Sequence, residues 1–168
     1  MNSTITQQDL EFVKLLMRSN SDSVGFIPLK GVERAVKYGG LISQKIENER
    51  VGYLIHGPLK PFQDVYIWQE CIDKDVRRMG IGRNVFFKLY KKAVMNNAKG
   101  IKLRCADDLI SNIFWESMGF QILKAEEPNN RRKRKVNNYY LKIFEDNDLI
   151  VRGGKILGDE EKGLLYCE

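Results

Sequence analysis

Hydrophobic residues along this chain switch repeatedly between a helical and an extended period, and the switches mark ten elements. Leu10, Val13, Leu16 and Met17 recur on one helical face, behind Thr6 and Asp9, which are spaced as an N-cap and its N3 acid. Ser19-Asn20-Ser21-Asp22 ends that helix, and a short second one over about 31–38 is stopped by Gly39-Gly40. Extended runs follow over Leu41 to Glu47 and Val51 to His56, with Asn48-Glu49-Arg50 between them as a hairpin turn. Gly57 to Phe62 holds two prolines and reads as a loop, and Val65 to Ile72 is rich in aromatic and β-branched residues.

The period then returns to helical. Ile81, Val85, Phe86, Leu89, Ala93 and Val94 form one face of a helix that Asn96-Asn97 and Gly100 stop. Ile101 to Ala106 is a short strand, and Leu109 to Met118 a helix capped by Asp107 or Asp108 and closed by Gly119. Phe120 to Ala125 and Val136 to Phe144 are strands joined by the linker Glu126 to Lys135. The order is α-α-β-β-β-α-β-α-β-β, with no internal repeat, and 168 residues suffice for one domain with its own core.

Composition narrows the class. With 43% hydrophobic and 30% charged residues, the chain reads as an ordinary globular protein, and no apolar run reaches membrane-spanning length. The polar N-terminus carries no signal-peptide pattern. Cys71, Cys105 and Cys167 are scattered, with no metal or redox spacing. Reduced thiols and a cytoplasmic location, with no metal and no membrane partner, are the expectation. Charge is uneven: residues 145–168 hold seven acidic and three basic residues, a net −4, while residues 1–144 carry 25 basic and 15 acidic, a net +10. A basic body suits an anionic ligand, a nucleotide cofactor or a nucleic acid, although surface lysine also serves solubility alone.

The chemistry concentrates at Arg77-Arg78-Met79-Gly80-Ile81-Gly82, between a strand and a helix. First-turn N–H groups of a helix are unpaired, and the helix dipole favours an anion there. Glycine lets backbone approach phosphate oxygens, and arginine adds forked donors. A solvated turn is the plainer alternative for Arg77 and Arg78. No Gly-Lys-Ser/Thr follows the glycines, so the Walker pattern is absent, and the dinucleotide fingerprint with its third glycine and βαβ unit is absent too.

The turn resembles the acyl-CoA motif Gln/Arg-x-x-Gly-x-Gly/Ala of the GCN5-related N-acetyltransferase (GNAT) family, met here by Arg77, Gly80 and Gly82. Phe114-Trp115-Glu116-Ser117-Met118-Gly119-Phe120 resembles the family's later motif, an aromatic pair at a helix end followed by Gly-Phe. The likeness covers about Leu41 to Phe144. It implies an α+β fold with a mixed, mostly antiparallel sheet flanked by helices, whose fourth and fifth strands splay apart. These would be Val65–Ile72 and Ile101–Ala106. It implies a GNAT domain over 1–144; beyond its reach, Leu149-Ile150-Val151 and Lys155-Ile156-Leu157 around Gly153-Gly154 read as a hairpin in the acidic extension 145–168, packed on the body or on a second subunit. A homodimer is a corollary.

The same resemblance implies an N-acyltransferase that moves an acetyl group from acetyl-CoA, or another acyl from its CoA, directly to an amine. Cys71, Ile72 and Asp73 would bind the pantetheine, and Arg77, Arg78, Met79, Gly80, Ile81, Gly82 and Arg83 the pyrophosphate, with Asn112 and Trp115 beside the cofactor. Glu70 is the first candidate base, on a strand face shared with Tyr66 and Trp68; an ordinary ion pair is the alternative. His56, the single histidine, is a second candidate base or a turn residue. The family's usual acid, a tyrosine, is replaced by Trp115, whose indole is no useful acid. Tyr66, Ser117 and Tyr139 are the remaining hydroxyls of interest.

The acceptor implied by the resemblance is a small-molecule or macromolecular amine. Arg131-Arg132-Lys133-Arg134-Lys135 would also suit a nucleic acid, or a cofactor phosphate, or be a solvated turn. The stretch Ile67 to Arg78 further resembles bacteriophage acyltransferases such as the Mom-type DNA modification enzymes, which would place the protein in a host cytoplasm. A non-catalytic binding module of the same fold is the third reading.

Overall fold

The computed structural model describes residues 6–129 and 133–143. Its elements follow the predicted order: α1 (Gln7–Ser19), α2 (Leu29–Lys37), β1 (Leu41–Ile46), β2 (Glu49–His56), β3 (Asp64–Ile72), α3 (Ile81–Met95), β4 (Gly100–Ala106), α4 (Ser111–Ser117), β5 (Gln121–Glu126) and β6 (Val136–Lys142). The six strands form one sheet in the order β1-β2-β3-β4-β6-β5, antiparallel except between β3 and β4. Arg131, Arg132 and the 145–168 extension lie outside the described residues.

The helices cover the two faces unequally. On one face α3 and α4 bury Val85, Phe86, Leu89 and Trp115 against Leu54, Ile67, Ile101 and Leu103. On the other, α1 and α2 bury Val13, Leu16, Val32 and Ala35 against Leu41, Tyr53, Ile55 and Cys71 of β1, β2 and β3. Lys102 and Arg104 of β4, on that second face, remain partly or fully exposed.

Local chemistry explains where boundaries depart from the hydrophobic pattern. The hairpin turn is Glu47-Asn48, both left-handed (φ 48° and 71°), so Glu49 and Arg50 already belong to β2. Paired left-handed residues match the twist of a two-residue hairpin, and asparagine tolerates that conformation. α2 starts at Leu29 because Pro28 presets the entry (φ −56°). α4 starts at Ser111 without a side-chain cap, so neither Asp107 nor Asp108 caps it; Asp108 instead binds Arg134. Val94 is only half-buried at the end of the α3 face.

Asp9 ties the first helix to the sheet. Its carboxylate accepts from the Thr6 N–H and hydroxyl at 2.8 Å each, and Arg50 Nε donates to it at 2.7 Å. Burial alone would raise its pKa; the Arg50 and Thr6 hydrogen bonds outweigh that and hold it at about 2. Asp9→Asn should therefore lower stability at pH 7 by about 1–2 kcal/mol, discounted for the solvated side of the pair. The folded pKa lies below the unfolded one. The stabilisation is thus fully present above about pH 4 and fades as pH falls toward 2. Urea titrations of both proteins across that window check this, and an equal gap at pH 2 and pH 7 contradicts it.

Candidate active site

β3 and β4 pair over three residues only: Asp64 with Gly100, Val65 with Ile101 and Tyr66 with Lys102. Beyond that point β3 stays bonded to β2 as far as Ile72, and β4 to β6 as far as Ala106, but not to each other. The two strands part in the way the resemblance implies, though they are third and fourth in this chain: among the described residues no strand precedes α1. Their facing edges present backbone N–H and C=O groups without ladder partners.

The open end of this gap leads to the start of α3. A 3₁₀ turn at Lys74–Val76, capped by Asp73, is followed by Arg78 and Gly80, both left-handed (φ 63° and 76°). Gly80 offers no side-chain cap, and the first intrahelical bond is Asn84 N–H to Gly80 O. The amides of Ile81, Gly82 and Arg83 are therefore left for a ligand or water. Met79 and Arg83 are exposed. Arg77 is engaged within the protein, since its Nε donates to Ile72 O at 3.1 Å and its Nη2 donates to Asn20 Oδ1. It braces the turn against β3 and α1. Ile72 is half-buried, and Cys71 points under α1, where burial pushes its thiol up to about 11. Any part these two take in binding is through their backbone.

A β-bulge decides which way the candidate catalytic side chains point. Ile55 pairs with Gln69, but His56 pairs with Ile67, so Trp68 is the extra residue. Trp68 and Gln69 consequently both lie on the α1–α2 face. Trp68 meets the Tyr38 ring edge-on at 6.3 Å, and Gln69 Nε2 donates to Gly25 O. Tyr66 is on that face too, 38% exposed beside the point where the strands part. Glu70 is not. It pairs with Leu54 on the α3 face, and a Cβ at residue 82 would stand 3.1 Å from its Oε1. Simple alternation, which groups Glu70 with Tyr66 and Trp68, is corrected by the bulge. Both Glu70 oxygens are buried without a hydrogen-bond partner, and burial raises the carboxyl well above its usual range.

The other candidates have structural duties. His56 is 1% exposed on the α3 side of β2; its Nδ1 lies 2.7 Å from Gly57 O, and Nε2 has no partner. Burial lowers its pKa, with Lys92 of α3 adding to the effect against the Gly57 contact. It is a neutral histidine sealed away from the Tyr66–Trp68 face. Asn112 Nδ2 donates to the carbonyls of Ala106, Asp107 and Leu109, while its Oδ1 accepts from Tyr139 at 2.8 Å and from Asn137 at 3.3 Å. Tyr139 contacts Glu116 as well, at 3.0 Å; burial and that carboxylate push the phenol up to about 12. Ser117 donates to Phe114 O inside α4. Trp115 stacks edge-on with Phe86 and Phe120 in the core.

The basic run is partly neutralised. Arg134 donates to Asp108 Oδ2 at 2.7 and 3.0 Å and to Asp22 O at 3.2 Å, and Lys135 pairs with Glu127 at 3.3 Å. Arg134 thereby ties the linker before β6 to the α1–α2 connection. No sequence signal marks it for that role, because nothing in a run of five cations singles one out. Among the described residues no cluster of His, Cys, Asp and Glu could hold a metal, and no helix is long and apolar enough to cross a membrane.

No family model matches the sequence, and no curated protein matches it. Solved structures match the fold. Ribosomal-protein-alanine N-acetyltransferase from Brucella melitensis superposes with a TM-score of 0.68 at 16% identity, over 84% of this chain and 98% of that one. The NatC complex bound to Gag peptide and CoA gives 0.70 at 13% identity, over 83% and 93%. An aminoglycoside 6'-N-acetyltransferase complexed with coenzyme A gives 0.69 at 14% identity, over 83% and 93%. The chain has the fold of the GNAT acetyltransferases.

The Asn112 hub yields a stability ranking. Asn112→Ala removes three side-chain bonds to carbonyls and the shared acceptor of Tyr139 and Asn137. Ala106 O and Leu109 O keep backbone donors and Tyr139 keeps Glu116, so the loss should be about 2–3 kcal/mol in urea denaturation. Tyr139→Phe removes one hydroxyl and should cost about 1 kcal/mol. The reverse order would contradict this assignment.

Proposed function

We propose that the protein is an acyl-CoA-dependent N-acyltransferase that transfers an acetyl group directly to an amine. The observation that carries this reading is the parting of β3 from β4 toward an uncapped, glycine-containing helix start. The two features together fit the two ends of one ligand: an amide-bearing arm for the unpaired strand edges, and a diphosphate for the Ile81, Gly82 and Arg83 amides. The acetyltransferases of this fold that are solved with CoA bound support the same choice.

When bound, an acyl-CoA would supply a thioester carbonyl open to attack and a thiolate as leaving group. This chain's residues would do the rest. The backbone of β3 from Ile67 to Ile72 would hold the arm as a missing strand is held. A bulge leaves a ladder N–H unpaired, and the one at Trp68, near the parting point, would serve to polarise a carbonyl. An acceptor amine would enter from the face bearing Tyr66 and Trp68, and the Tyr66 hydroxyl is the polar side chain there that can pass its proton to water. Ser117 and Tyr139 are engaged elsewhere and Trp115 cannot act as an acid. A thiol ionises at about 8.5, so the thiolate leaves without one at modest cost.

Glu70 and His56 lie on the opposite face, which argues against either as the base for the amine. Within the described part of the basic run Arg134 and Lys135 are paired, which weakens the case for a nucleic-acid acceptor or a Mom-like role, and nothing among the described residues speaks for a homodimer. The solved acetyltransferases of this fold favour an amine on a peptide or small molecule as the acceptor class.

Calorimetry with acetyl-CoA tests the reading, and mass spectrometry of peptide and amine mixtures incubated with both identifies the acceptor. Wild type should bind with a Kd between about 1 μM and 1 mM. Gly82→Asp sets a carboxylate among the free amides and against Glu70 and Phe114, and should weaken binding by at least about tenfold. A folded wild type that does not bind acetyl-CoA overturns the proposal.

A further inference from the structure

Glu70 is the residue that the fold leaves unexplained. Its two carboxyl oxygens are buried and neither has a hydrogen-bond partner. The elements packed against it bring no charge to meet it: Leu54 faces it from β2, Gly82 from α3 and Phe114 from α4. The ring edge of Phe114 meets at 3.5 Å the same point where a Gly82 Cβ would stand 3.1 Å from Glu70 Oε1. The titratable group that senses Glu70 is Cys71, next to it on β3 and facing the other way. A leucine at this place would complete the apolar layer made by Leu54, Ile67 and Val85. A carboxyl instead gives up its water for nothing the protein supplies. It does so at the first turn of α3, beside the gap between β3 and β4.

We propose that Glu70 is a ligand-binding group of the acyl-donor site, holding the pantetheine arm as a neutral carboxylic acid that donates its O–H to an amide carbonyl. The inference rests on the acyl-CoA reading above and adds a side-chain contact and a proton requirement to it. Neutrality follows from the surroundings. Burial already favours the protonated form. A diphosphate on the neighbouring amides of Ile81, Gly82 and Arg83 would oppose an ionised Glu70 further, by like-charge repulsion in a dry setting. Binding should then take up a proton whenever free Glu70 is ionised. Affinity falls as pH rises through the carboxyl's raised pKa, the reverse of what a carboxylate receptor for an amide N–H would give.

The test is calorimetric titration of CoA into wild type, Glu70→Gln and Glu70→Leu from pH 6 to 9.5, with thermal melting of each protein without ligand. CoA's own ionisations are common to all three and cancel in the comparison. Glu70→Gln keeps a donor and cannot ionise. It should bind within about threefold of wild type at pH 6 and lose less affinity than wild type toward pH 9.5, by at least a factor of ten. Glu70→Leu has no donor: it should bind about tenfold more weakly at pH 6, yet melt at a higher temperature than wild type. A wild-type profile parallel to that of Glu70→Gln overturns the proposal. So does a Glu70→Leu protein that binds like wild type at pH 6, or one that melts lower, which would make Glu70 a structural residue. Failure of wild type to bind CoA at any pH instead overturns the acyl-CoA reading, and this inference falls with it.

Discussion

Past Tyr66 and Lys102, β3 and β4 stop pairing, and the backbone groups they turn toward each other are left to water or to a ligand. Each ladder bond forgone is worth about 1 kcal/mol net, so an open seam in the middle of a sheet needs outside support. Each strand has it. β2 holds β3 to its last residue, β6 holds every residue of β4, and the Phe86–Trp115–Phe120 cluster fastens α3 and α4 over the same face. The Asn112 hub then fixes the far end of β4 through Ala106, Asp107 and Leu109. The seam stays open because its neighbours are closed.

A second constraint sits within the first. The bulge at Trp68 rotates the end of β3 by one residue, which divides the strand's side chains between two compartments. Tyr66 and Trp68 go to the partly uncovered face and Glu70 goes beneath the first turn of α3. In the proposed reaction, donor and acceptor would thus meet different chemistry on the two faces of one sheet. Arg77 contributes by bracing: it joins the turn, the end of β3 and the end of α1, so the amides at the start of α3 are held in place by a side chain pointing away from them.

Much of this is readable in the chain. The α3 face repeats at a clean helical period, the glycine turn stands between a strand and that helix, and Gly119-Phe120 closes α4 as expected. The order of elements follows from those marks, while the place of the seam is expected only from the resemblance to the acyl-CoA motif. Other features have no local signal. A bulge adds a residue without changing composition, so alternation puts Glu70 on the face of Tyr66. Whether Tyr139 is free or bonded depends on Asn112, 27 residues away, and whether Arg134 is a free cation depends on Asp108 and the carbonyl of Asp22. The hairpin turn begins one residue earlier and ends two residues earlier than the pattern suggests, because glutamate at a left-handed position is uncommon and leaves no trace in the pattern.

On the proposed function, an acyl-CoA would complete the seam between β3 and β4 and the start of α3. Amide hydrogen exchange, measured residue by residue with and without saturating acetyl-CoA, tests it most directly. New protection is expected at Ile67 to Ile72 and at Ile81 to Arg83, with α1 and the β1–β2 hairpin unchanged. Protection that spares both segments, or that falls only on the connection between α1 and α2, would contradict it.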